Sequence, residues 1–143
     1  MASSPTATKN AQPLDPSFPK GRFHLAKAEG ADWRVGLRPH FAYRDLGIER
    51  ATEGKVLAHV IRARQPCDGP GDEHTHTLDF QMVYVLKGWM RTQFEGVGER
   101  TLEAGDCMYQ EPGIRHRVLG YSDDLEVLEI TIPAEFETTT VAP

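Results

Sequence analysis

From Lys55 onward the chain alternates short apolar runs with turn residues. The runs are 56–62 (VLAHVIR), 78–86 (LDFQMVYVL), 89–94 (WMRTQF), 99–102, 107–110, 115–119 and 125–132 (LEVLEITI). Each is rich in β-branched or aromatic residues and bounded by Gly, Pro or Asp, the composition of strands. No stretch after Lys55 keeps a helical period over even ten residues. Seven strands at spacings of roughly ten residues predict an antiparallel sandwich or small barrel. The pairs Lys87-Gly88, Glu95-Gly96, Ala104-Gly105 and Pro112-Gly113 suit tight connections between them. The run 80–86 is apolar on both alternating faces except at Gln81, which predicts burial on both sides. One face would meet the barrel interior and the other a second sheet, the N-terminal segment or a partner subunit. Upstream, 33–46 contains Pro39 and reads as short strands and turns.

Length and composition narrow the picture. A chain of 143 residues is most economically one domain. The first twenty residues hold four prolines and no apolar run long enough for a signal peptide, so 1–20 reads as a flexible arm. Residues 21–143 are then one β-barrel domain with its core at about 55–133. Sixteen Lys and Arg against twenty-one Asp and Glu give a net charge of −5, with the basic residues scattered. That pattern offers no footprint for nucleic acid or an anionic membrane surface. Cys67 and Cys107 form neither a CxxC nor a zinc-ribbon spacing and suggest a reducing, cytoplasmic setting. Cys107 is expected on a buried strand as a small apolar thiol.

The chemistry lies in GDEHTHTLDFQ, residues 71–81. On a strand, residues two apart face the same side, so His74 and His76 can converge on one point. His116, at the head of another short strand, can join them from across a small barrel. Three imidazoles suit a transition-metal ion such as Fe, Ni, Zn or Mn. A polar residue at 81, sharing a face with Val83 and Val85, needs a reason to be there. His59, in the apolar run 56–62, reads first as a core or interface histidine and second as a pocket residue. Arg62, Tyr84, Tyr109, Arg115 and Glu129 are candidates to line the mouth, hold a carboxylate or move a proton, and equally to be rim residues. Tyr84, Tyr109, Arg62 and His59 are the catalytic candidates.

Two segments resemble the paired motifs of the cupin superfamily. The first runs from Gly69 to Gly88: His74-x-His76, four residues, Gln81, six residues, Gly88. The second runs from Gly105 through Gly113 and His116 to Gly120. The resemblance implies a double-stranded β-helix, or jelly-roll barrel, with a divalent transition metal on His74, His76, Gln81 and His116. It also implies a small-molecule substrate and a homodimer. This chain departs from the pattern where Gln81 stands for the usual glutamate, Glu111 for proline and Gly120 for asparagine. An amide brings no charge, so a bound ion would keep its full +2; Gln81 either completes the ligand set or holds a water or substrate beside it.

Three functions fit the resemblance. The first is a metal-dependent enzyme of dioxygenase type, slightly favoured by the frequency of that chemistry in the superfamily. The second is a redox-neutral Lewis-acid isomerase or lyase acting on a sugar acid or keto acid. The third is a metal- or ligand-binding module without turnover.

Overall fold

The computed structural model describes residues 11–36 and 39–142. The proposed arm, 1–20, lies outside the described residues for its first half; residues 11–17 are exposed, and Phe18 lies under the Lys55 ammonium, 5.6 Å from its ring centroid. The short strands expected upstream are β1 (Arg34–Val35) and β2 (Phe41–Asp45), followed by one helical turn, α1 (Ile48–Ala51).

All seven runs form strands, with ends shifted by up to two residues. They are β3 (Leu57–Ala63), β5 (Phe80–Lys87), β6 (Trp89–Phe94), β7 (Gly98–Glu103), β8 (Cys107–Tyr109), β9 (His116–Tyr121) and β10 (Glu126–Ile132). Two more carry no hydrophobic pattern: β4 (His74–Thr77) reads HTHT and β11 (Glu137–Thr140) reads ETTT. Their polar side chains fit strands because Thr is β-branched, and because β4 and β11 pair with each other along their whole lengths.

The strands form two antiparallel sheets, ordered β1-β2-β3-β10-β5-β8 and β11-β4-β9-β6-β7. Together they make the expected jelly-roll barrel. In β5 the inward residues Gln81, Val83 and Val85 are buried, while outward Tyr84 and Leu86 are exposed and Phe80 and Met82 half-buried. The second apolar face of β5 is thus only partly covered within this chain.

The core packs Val83, Val85, Met90, Leu102, Tyr121, Leu125 and Val127 between the sheets. Gly88 makes the corner by which the chain leaves one sheet for the other. Its φ of 72° is left-handed, and a Cβ there would run into the Ser122 hydroxyl and lie 2.6 Å from the Asp124 carboxylate. Cys107 does not take its expected place in the core: β8 is an edge strand, and the thiol is exposed there. No helix among the described residues is long and apolar enough to cross a membrane.

Candidate metal centre

The two-residue spacing of His74 and His76 puts both rings on the inner side of β4, and antiparallel pairing brings β9 alongside, with His74 directly opposite His116. The three rings cluster with centroids 4.2, 4.8 and 4.9 Å apart. One ligand atom from each lies within 4.8 Å of the others, His74 and His116 being buried and His76 partly exposed. The loop that delivers His116 is tied to β4 itself, where the Gly113 N–H donates to the His76 carbonyl at 3.3 Å.

Hydrogen bonds behind the rings decide which nitrogen faces inward. His74 Nδ1 lies 2.8 Å from the Asp72 carbonyl and His116 Nδ1 lies 3.0 Å from the Ile114 carbonyl. A carbonyl can only accept, so each Nδ1 carries the hydrogen and each Nε2 keeps a lone pair for a ligand. His76 Nδ1 is held 2.9 Å from the Thr138 hydroxyl of β11, and Phe136 packs edge-on against its ring. These are the donors and the outer support that a three-imidazole site for a divalent transition ion requires.

Gln81 is buried and belongs to a chain of hydrogen bonds running away from His116. Its Nε2 donates to Glu129 Oε2 at 3.0 Å, and its Oε1 accepts from Gln110 Nε2 at 3.2 Å. The Gln110 amide nitrogen also lies 3.1 Å from both nitrogens of the His116 ring. On the far side, His59 Nε2 donates to Glu129 Oε1 at 2.7 Å. An ionised carboxylate only accepts, so Glu129 fixes the Gln81 amide with nitrogen toward β10 and oxygen toward Gln110. Burial alone would raise the Glu129 carboxyl. The hydrogen bond and charge of His59 and the Gln81 amide outweigh it, holding Glu129 below the usual carboxylate range.

All of these groups line one cavity of about 320 Å³ between the sheets. Its walls are otherwise mainly apolar, with Ile61, Val83, Met108, Val118 and Val127 among them. A larger groove of about 590 Å³ follows β7 and β8 on the outside and holds Tyr109 and Cys107, but none of the histidines. The chemistry places the candidate site in the smaller cavity.

The structure thus brings together His74, His76, His116, Gln81, His59 and Glu129. It does not bring Arg62, Tyr84 or Tyr109 to them. Arg62 projects from the outer face of β3, with its guanidinium 3.8 Å from the Trp33 ring centroid, and Tyr84 and Tyr109 are exposed on the outside of β5 and β8. Arg115 faces Glu95 at the surface, 3.6 Å away. Gln110, Thr138 and Phe136 were not distinguishable in the sequence as site residues; a lone amide or hydroxyl in a short strand has no local signature.

A family model described as a cupin domain matches residues 64–131. The polyketide cyclase RemF from Streptomyces resistomycificus superposes with a TM-score of 0.66 at 15% identity, over 85% of this chain and 87% of its own. An RmlC-like cupin from Shewanella frigidimarina gives 0.62 at 19% identity, over 80% and 95%. KdgF from a Halomonas species gives 0.60 at 19% identity, over 78% and 96%. At such identities the likeness is one of fold. Comparison with curated proteins gives no match.

Proposed function

We propose that the chain, whose residues 64–131 match a cupin-domain model, is a metal-dependent cupin enzyme acting on a small oxygenated organic substrate without net oxidation. The observation that carries this reading is the meeting, in one cavity, of three imidazoles able to share a cation and a carboxylate–imidazole pair able to handle a proton.

His74, His76 and His116 would hold a divalent transition ion through Nε2, and the bound ion would supply Lewis acidity toward a substrate oxygen. All three ligands are neutral, so none of the ion's charge is cancelled by the protein at first contact. Asp72, Ile114 and Thr138 fix the rings beforehand. Gln81 works from behind the ligand set, where its Oε1 accepts from the Gln110 amide that lies against the His116 ring. Glu129 is held charged, orients His59 through a 2.7 Å hydrogen bond, and with it forms the pair that takes or returns a proton beside the polarised oxygen. The apolar walls keep bulk water from competing. Isomerisation, elimination and ring closure are the outcomes such a site supports; a cyclase on the same fold, RemF, favours the last.

Dioxygenase-type chemistry is the second reading, favoured by the ligand set itself, since three neutral imidazoles are donors that would suit Fe(II). Loading the purified protein with zinc or with Fe(II) and screening small diketones, phenols, thiols and keto acids separates the two. Turnover by the zinc form without oxygen is the expected result. Turnover that needs Fe(II) and consumes oxygen would transfer the assignment to the dioxygenase reading, and none with either ion would leave a binding module.

A further inference from the structure

Thr92 sits on β6 with 1% of its surface exposed, and its hydroxyl has no hydrogen-bond partner among the described residues. Buried hydroxyls are nearly always bonded, because leaving one unpaired forfeits its interactions with water. This one lines the cavity of the three histidines. On β6, Phe94 lies opposite His116 and Thr92 opposite Val118. Residues two apart on a strand are about 7 Å apart on one face, so Thr92 stands one rung along the cavity from the His116 ring. Val118, its cross-strand partner, and Leu125 and Val127, which line the same cavity, have side chains that cannot bond a hydroxyl.

We propose that Thr92 is a specificity-determining residue, and that the substrate is a compact, mainly apolar molecule with oxygens at two opposite ends. One oxygen faces the histidines and the other hydrogen-bonds to Thr92 Oγ1. A single six-membered ring with oxygen-bearing groups at opposite positions has this arrangement, and the cavity volume suits a molecule of that size. Discrimination follows because a substrate lacking the second oxygen would leave the Thr92 hydroxyl unpaired. The inference rests on the cavity being the substrate site proposed above.

The test is Thr92→Val, which removes the hydroxyl but keeps shape and strand preference. In the ligand-free protein the variant should melt about 2–4 °C higher, since it relieves an unpaired group. An unchanged or lower melting temperature would mean that the hydroxyl already has a structural partner and would overturn the proposal. Calorimetric titration of the zinc-loaded protein with 4-hydroxybenzoate and benzoate supplies the second readout. The wild type should prefer the hydroxylated probe by roughly three- to tenfold, Thr92→Val should lose the preference and Thr92→Ser should keep it. The same preference in wild type and Thr92→Val, or no binding of either probe to the wild type, overturns the assignment. The metal reading is judged separately: benzoate binding that Thr92→Val retains and His76→Ala abolishes upholds the histidine site whatever the role of Thr92.

Discussion

Glu129 accepts a hydrogen bond from the Gln81 amide at 3.0 Å, and that neighbour gives a physical reason for an amide where the cupin pattern has glutamate. A glutamate at 81 would set two carboxylates about as close, in a buried place where both cannot stay ionised without cost. Gln81→Glu should therefore lower stability by about 1–3 kcal/mol, read from the urea midpoint. The swap Gln81→Glu with Glu129→Gln should recover most of the loss, because it restores one carboxylate and one amide. A double variant no more stable than the single one would refute the pairing. The two histidines of β4 were legible because their spacing matches the strand period. The reason for Gln81 was not, since its partner lies 48 residues away and arrives through the pairing of β5 with β10. Arg62 and Tyr109 could be placed on strands from the sequence, but which side each faced depended on registers that the hydrophobic pattern did not fix outside β5; within β5, Tyr84 is out of step with Gln81, Val83 and Val85 and so faces away from them.

At the scale of elements, the strands that matter most to the site are those with the weakest hydrophobic signal. The pattern of β3, β5, β6 and β10 could be read because one face of each is buried in the core. The histidine strand β4 was recognisable by its chemistry alone, and β11 offered neither signal. Yet β11 brings Thr138 to His76 Nδ1, and the turn before it places Phe136 against the same ring. Thr138→Val removes that hydrogen bond with little change of shape. It should weaken metal binding roughly 10- to 100-fold in a competition titration against a chelator while the circular dichroism stays that of the wild type. Undiminished affinity would show that β11 does not support the site.

For the molecule as a whole, the outer face of the six-stranded sheet poses the remaining question. Tyr84 is 38%, Leu86 41% and Tyr109 60% exposed there, and Met82, Leu128 and Ile130 beside them are half-buried. The double apolar character of 80–86 made this legible in advance as a face needing cover. A second copy of the chain is the expected occupant, and sedimentation equilibrium should give about twice the 16.0 kDa chain mass. Tyr84→Glu should shift the species toward monomer; a monomeric wild type at micromolar concentration would rule the dimer out.

The claim on which the rest depends is that His74, His76 and His116 hold one ion. Metal content and affinity, measured on the purified protein and on His76→Ala after identical loading with zinc, address it without any knowledge of the substrate. The expected result is one tightly held ion per chain in the wild type and binding at least about 100-fold weaker in the variant, whose folded spectrum is retained. Equal metal content and affinity in the two proteins would contradict it.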